Sequence, residues 1–405
     1  MNRFLVLLAL AACGPATPAR SPAQRTEASA AAVAALQASK FDDAIQQATA
    51  VLAADPGNSR AAAVRATASY VTSIHALIER LGQIIAASDR LEFFENPSAR
   101  TAWQDFLTKL EVIDRDLAIA AADRDFSLEL CLARWEHDWN HNGRIDDRDR
   151  KLFELEFDGH GGELAATDPR RRPTFRFDTG DADWARAMIA FQRATGELVL
   201  AYKWSELALL FGSFGNDQPT TIRLIDQPRV TRARALILDG LGFADRSRAA
   251  YLAETDDDRE WVPNPHQRNH PMPLEIDDAV YATWAGVIGD VRNLLDSKDG
   301  IAFHELARTV SGDRDDKLTQ LLPDAFIDLG RMLSDPKDIV IDFHKLDHKM
   351  DAAGVEVVLR GLIGNGYQTR MHPSPLVSRL RAMKTQLDRG EDTFERKLRY
   401  LLWLN

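Results

Sequence analysis

Apolar residues recur at helical spacing over most of this chain. In residues 60–89, for example, Tyr70, Ile74 and Leu77 are three or four positions apart, which places their side chains on one face of a helix. Most of the chain is therefore expected to be helical. The same period predicts further helices at residues 98–122, 183–210, 276–295, 302–310, 324–333, 351–363 and 374–403.

The alternation of apolar and polar residues that is typical of strands is confined to two short segments, Pro173–Phe177 and Ile339–Phe343. Two segments of this length cannot supply a sheet that dominates a chain of 405 residues. The pattern therefore predicts an all-α fold, an irregular multi-helix bundle. Residues 91–405 show no clean internal boundary and are expected to form one α-helical body.

The first helices contain the small residues Ala44 and Ala48 one turn apart, which lets two helices approach closely. Pro56 then ends a helix, because proline cannot continue it. The segment 40–58 resembles the second half of a tetratricopeptide repeat, whereas the preceding segment lacks the usual large aromatic residue. The resemblance implies a helical hairpin at residues 33–90 that caps the larger body. A peptide-binding groove is the alternative, but a stable solenoid needs about three repeats.

The N-terminus has the layout of a secretory signal. Arg3 supplies a positive charge, the run from Phe4 to Ala12 is apolar, and small residues precede Cys13. A membrane span would need roughly 20 apolar residues. The segment Leu10–Cys13 resembles the lipobox of bacterial lipoproteins, in which cleavage occurs before the cysteine and the cysteine is acylated. The resemblance implies a signal peptide at residues 1–12 and lipidation of Cys13; a signal peptide without lipidation is the alternative.

The residues after the lipobox fit a membrane tether. Gly14 follows Cys13, and in Gram-negative lipoproteins a residue other than Asp at this position favours the outer membrane, which is the localisation that the resemblance implies. Residues 13–32 are rich in Pro, Ala, Ser and Thr and carry few large apolar side chains, so we expect a flexible tether. Stable anchoring of such a chain needs dual acylation.

Composition narrows the possible partners. The chain has 50 Lys and Arg against 61 Asp and Glu, a net charge of −11, so we expect no nucleic-acid partner. Its two cysteines exclude a disulfide scaffold. Cys131 lies in an apolar run, which predicts a buried, inert thiol. The acidic run from Glu254 to Glu260 and the basic run Arg170–Arg172 are both expected to be solvated.

The motif with the most specific chemistry is the segment 138–149, DWNHNGRIDDRD. It resembles the calcium loop of EF-hand and dockerin proteins, in which oxygen ligands alternate along a tight turn because calcium takes six to eight oxygens. Gly143 would permit the turn, and Ile145 would be buried to hold the loop in place. The resemblance implies calcium as the cofactor, bound by Asp138, Asn140, Asn142, the backbone carbonyl of Arg144, Asp146 and Asp149.

This segment departs from the family in three ways. Asp149 stands where the family prefers Glu, and its shorter side chain lowers the expected affinity. Trp139 and Arg150 are unusual at their positions, and the sequence shows no second loop of this kind. The alternative is an Asx-rich turn that binds nothing. We expect a weak site, with a dissociation constant of roughly 10⁻⁴ M as in extracellular modules, that serves as a structural clip.

A weaker constellation suggests a different metal. His344 and His348 are four residues apart, with Asp351 nearby, and would share one face of a helix, as in some zinc sites. His266 and His270 could supply further ligands. The HExxH, Gly-x-Ser-x-Gly and Walker patterns are all absent from the sequence, so no catalytic residue is assigned.

The sequence therefore supports two functions. The first is a cell-envelope calcium-binding lipoprotein, a non-enzymatic scaffold or interaction protein that is held at the membrane by Cys13 and presents a surface to a protein partner. The alternative is a metal-dependent envelope hydrolase that uses His344, His348 and Asp351.

Overall fold

A computed structural model describes residues 21–87, 96–158, 162–206, 220–255, 259–268, 270–272, 276–302, 326–341, 368–369 and 371–387. This part of the chain is mostly helical, which confirms the all-α prediction. The helices are α1 (Pro22–Gln37), α2 (Phe41–Ala54), α3 (Ser59–Ala87), α4 (Pro97–Ala122), α5 (Asp147–Arg150), α6 (Thr179–Ala201), α7 (Gln227–Ala253), α8 (Asp278–Leu295), α9 (Leu329–Ser334) and α10 (Leu376–Leu387).

The first three helices pack on one another through small side chains. α2 ends just before Pro56, and alanines such as Ala44 and Ala48 are fully buried where α1, α2 and α3 meet. The prediction of a flexible tether is wrong for residues 22–32, which belong to α1. Ser21 begins this helix with a capping box in which its hydroxyl accepts the N–H of Gln24, and alanines favour the helix that follows.

The centre of the protein is built from α3, α4, α6 and α7. α6 packs along α7, and α4 lies between α3 and α6. Gly196 of α6 allows the close approach to α4, since a Cβ at that position would lie 2.5 Å from a methyl carbon of Leu107. Arg65 of α3 donates two hydrogen bonds of 2.7 and 2.6 Å to the buried carboxylate of Asp116 on α4. These contacts hold α4 against both α3 and α6.

Several helix boundaries differ from the prediction. α6 begins at Thr179 because Asp178 caps it, and it ends at Ala201, nine residues before the predicted end. The helix expected at 324–333 is shorter, because Phe326–Ile327 pairs as a strand and α9 starts at Leu329. α7 was not predicted, because arginines and glycines interrupt its apolar stripe.

Short strands join the helices. The predicted segments 173–177 and 339–343 are confirmed as sites of strands by β2 and β6. β1 pairs antiparallel with β2 and β3 with β6, and a further sheet has the order β7-β5-β4-β8. The strands are β1 (Leu128–Leu130), β2 (Phe175–Phe177), β3 (Thr220–Ile222), β4 (Asp299–Ala302), β5 (Phe326–Ile327), β6 (Ile339–Ile341), β7 (Gln368–Thr369) and β8 (His372–Pro373).

The burial of Cys131 and of the basic run Arg170–Arg172 can be compared with the predictions for them. Cys131 is buried, as predicted, and burial raises the pKa of its thiol. The prediction of a solvated basic run is wrong for Arg171, whose side chain is mostly buried and pairs at 3.1 Å with the buried carboxylate of Glu154. Arg172 pairs with the other oxygen of Glu154 at 2.7 Å. The run therefore fastens the segment before β2 to the residues that follow α5.

Several predicted features lie outside the described residues: the signal segment 1–12, Cys13, all but the first residue of the helix predicted at 302–310, the helix predicted at 351–363, and the group His344, His348 and Asp351. Within the described ranges, no helix is both long enough and apolar enough to cross a membrane.

Candidate metal centre

The loop at residues 138–149 rests on an aromatic cluster. Trp139, the unusual second residue of the loop, stacks on the buried Trp135 with ring centroids 6.1 Å apart. It also meets Phe153 edge-on at 5.2 Å. Each such aromatic pair contributes about 0.5–1.5 kcal/mol beyond its burial. Trp139 therefore anchors the start of the loop in the core. The predicted burial of Ile145 is wrong, since 41% of this residue is exposed.

The carboxylate of Asp138 organises the turn. One oxygen accepts the N–H of Asn142 at 3.1 Å, and the other accepts the N–H of Gly143 at 2.7 Å. Gly143 has φ +81°, a left-handed conformation that glycine adopts without strain, and His141 is also left-handed at φ +57°. The chain thus curls around Asp138, as the resemblance to a calcium loop predicts.

The next predicted ligands follow the same turn. The side-chain oxygen of Asn140 accepts the N–H of Asn142 at 3.0 Å, and that of Asn142 accepts the N–H of Arg144 at 2.8 Å. The Asn142 amide donates to Asp146 at 3.1 Å. Asp146 also caps α5 by accepting the N–H of Arg148 at 2.8 Å. This hydrogen bond, followed by the one from Asn142, lowers the pKa of Asp146 and keeps its carboxylate charged.

Asp149 plays a part that the sequence did not indicate. It is only 2% exposed, and its carboxylate accepts three backbone N–H groups: those of Trp139 at 2.9 Å, Asn140 at 3.3 Å and Asp146 at 2.9 Å. The side chain therefore ties the start of the loop to its end. Because these bonds hold the carboxylate inside, it is less available to a cation than the side chains of Asp138 and Asn142.

A second acidic group lies between α6 and α7. One carboxylate oxygen each from Asp178, Glu254 and Glu260 lies within 4.8 Å of the others, a spacing that no three of the four loop carboxylates share. Asp181 is adjacent and accepts the hydroxyl of Tyr251 at 2.8 Å. The prediction that this acidic run is solvated is wrong for Glu260, which is 2% exposed. The cluster combines residues from distant segments, so no sequence motif revealed it.

Burial and mutual repulsion change the proton affinity of this acidic cluster. Burial, followed by the charge of Asp178, raises the pKa of Glu254 to about 10. Burial and the same neighbour raise the pKa of Asp181 well above its usual range. Glu254 therefore retains its proton at neutral pH. An acidic cluster alone does not identify a ligand.

Three histidines meet on the other side of the loop. His137 Nε2 lies 2.8 Å from His75 Nδ1, and the ring of His141 lies 4.4 Å from that of His75 between centroids. Burial, followed by the neighbouring imidazoles, lowers the pKa of His75 to about 4, and burial also lowers that of His137. The rings of His75 and His137 are therefore uncharged at neutral pH. His75 belongs to α3, 62 residues before His137, so no local pattern could predict this group.

Comparison of the chain with protein-family models, with curated protein sequences and with solved structures gives no match.

A separate cavity of about 370 Å³ lies between α6, α7 and α8. Its lining is apolar and includes Trp184, Phe191, Leu241 and Trp284. It offers contacts to apolar groups and no charged side chain, which distinguishes it from the polar groups around the loop.

Proposed function

We propose that this protein is a cell-envelope calcium-binding lipoprotein, a non-enzymatic scaffold or interaction protein whose loop at residues 138–149 is clipped by one calcium ion. The observation that carries the proposal is the turn around Asp138, whose carboxylate accepts the N–H groups of Asn142 and Gly143. The turn gathers the oxygen-bearing side chains of Asn140 and Asn142 on the same short segment. Calcium favours such a set of hard oxygen ligands.

The proposed calcium would fasten a loop that already holds together through hydrogen bonds. Asp138 and Asp146 supply negative charge, and Arg144 supplies a backbone carbonyl. Because Asp149 is engaged with three N–H groups, the affinity is expected to be weak, near the roughly 10⁻⁴ M of extracellular modules. At ten times the dissociation constant, calcium would stabilise the fold by RT ln 11, or about 1.4 kcal/mol. That effect suits a structural clip.

Calcium is expected to raise the melting temperature of the full-length chain, purified in detergent, by roughly 2 °C. Asp138→Ala should abolish this shift, because it removes the first ligand and the acceptor of two turn hydrogen bonds. Asp147→Ala is the matched control: this residue lies in the same segment, its side chain is 80% exposed, and it is not a predicted ligand. A shift that survives in the Asp138 variant would contradict the proposal.

The lipid anchor rests on the resemblance of Leu10–Cys13 to a lipobox. Expression of the full chain in a Gram-negative host should place it in the membrane fraction, with acyl chains on Cys13 detected by mass spectrometry of the N-terminal peptide. Cys13→Ser should remove the lipid and release the protein. Cys131→Ser, at the buried cysteine, should leave the lipid and the membrane location unchanged. An unmodified Cys13 in the membrane-bound protein would refute this part of the proposal.

A further inference from the structure

We propose that His75, His137 and His141 form a second metal site, one that takes a divalent transition ion, with Zn²⁺ as the expected occupant. The site goes beyond the calcium clip, since it uses nitrogen ligands and reaches outside the loop to helix α3. Imidazole suits zinc, copper and nickel, whereas calcium prefers oxygen.

The geometry of the first two rings points to a shared cation. His137 Nε2 and His75 Nδ1 face each other at 2.8 Å, a distance at which a single proton lies between two ring nitrogens. Zinc–nitrogen bonds of about 2.0–2.1 Å in a tetrahedron place two ligand nitrogens about 3.3 Å apart. The pair therefore needs to open by only about 0.5 Å to hold zinc in place of the proton.

His141 supplies the third ring. It already contacts His75, with ring centroids 4.4 Å apart, and its side chain is exposed and carries no hydrogen bond to any described residue. No nitrogen of His141 lies within 4.8 Å of both facing nitrogens, so rotation about the exposed His141 side-chain bonds must bring one towards them before all three histidines can bind one metal ion. Three protein ligands and a water complete a tetrahedral zinc site.

The surroundings favour such a site. A cavity of about 260 Å³ adjoins His75 and is lined on one side by Trp135 and Trp139. Trp139 lies 4.9 Å from the ring of His137 between centroids, so the aromatic cluster holds that histidine against α3. A bound zinc would join the first half of the loop to the middle of α3. It would thereby add a cross-link between the loop and the central helices.

The test is a calorimetric titration of the full-length chain, freed of metal with a chelator, with Zn²⁺ as the probe. We expect one zinc per chain. His75→Ala and His141→Ala should each weaken zinc binding at least about tenfold. His372→Ala, at an exposed histidine on β8, should leave the zinc affinity unchanged. A visible spectrum typical of tetrahedral nitrogen ligation, with Co²⁺ in place of zinc, should disappear in the same two variants.

The variants also separate this proposal from the calcium clip. His75 lies on α3, outside the loop, so His75→Ala should lose zinc binding and keep the calcium shift. Because His141 is exposed, its alanine variant is expected to fold, and its thermal melt checks this. Absence of zinc binding in the parent, or equal affinity in the parent and both histidine variants, would overturn the proposal.

Discussion

Replacing Asp149 by alanine is expected to lower the free energy of unfolding by about 2–4 kcal/mol whether or not calcium is present. The buried carboxylate accepts the N–H groups of Trp139, Asn140 and Asp146. A donor left without its partner at a buried position costs about 1–3 kcal/mol, and the partly exposed donors recover some of this from water. Urea denaturation in the presence of a chelator measures the effect directly.

Asp147→Ala is again the appropriate control, because this residue is exposed in the same short helix and its removal should change stability by less than about 0.5 kcal/mol. A loss in the Asp149 variant that appears only with calcium would mean that the carboxylate acts as a metal ligand and not as a tie between the two ends of the loop.

Replacing Glu254 by glutamine is expected to make the protein more stable at neutral pH, by about 1–3 kcal/mol. The folded protein raises the pKa of this carboxyl to about 10, against an ordinary value of 4.5. Between these two values the folded chain holds a proton that the unfolded chain has released. The contribution of Glu254 to stability is therefore fully present below about pH 4.5 and is lost as pH rises towards 10. Glutamine mimics the protonated form at every pH.

The measurement is the free energy of unfolding at several pH values above neutrality, with a chelator present. The parent should lose stability as pH rises, with a slope bounded by about 1.4 kcal/mol per pH unit for one group. Glu254→Gln should flatten this slope, and Glu136→Gln, at an exposed residue, should not. If stability were instead independent of pH over this range, Glu254 would already be ionised in the folded protein, which would contradict the raised pKa.

The helices that could be predicted are those whose stripe of apolar residues is continuous. The segments 60–89 and 98–122 correspond closely to α3 and α4, and 276–295 corresponds to α8. α7 escaped prediction because arginines alternate with its buried residues, and its helical form depends on packing along α6. Tertiary contacts override weak local patterns of this kind.

The candidate site also combines local features, which the sequence indicated, with contacts in the folded chain, which it did not. The ligand spacing and Gly143 are local, so the sequence indicated the turn around Asp138. The inward orientation of Asp149 depends on backbone N–H groups that only the folded loop presents. The pairing of His75 with His137 and the burial of Glu260 depend on segments far apart in the chain. Neither leaves a signal in residue spacing.

The central claim is that one calcium ion binds in the turn around Asp138, and terbium luminescence tests it most directly. Tb³⁺ substitutes for calcium at oxygen sites, and Trp139 lies next to the first predicted ligand, close enough to sensitise its emission. On tryptophan excitation we predict terbium emission that saturates at one ion per chain for the loop and that is lost when calcium displaces the terbium. The emission should persist in Asp147→Ala and be absent in Asp138→Ala. No sensitised emission, or equal emission from the parent and the Asp138 variant, would contradict the claim.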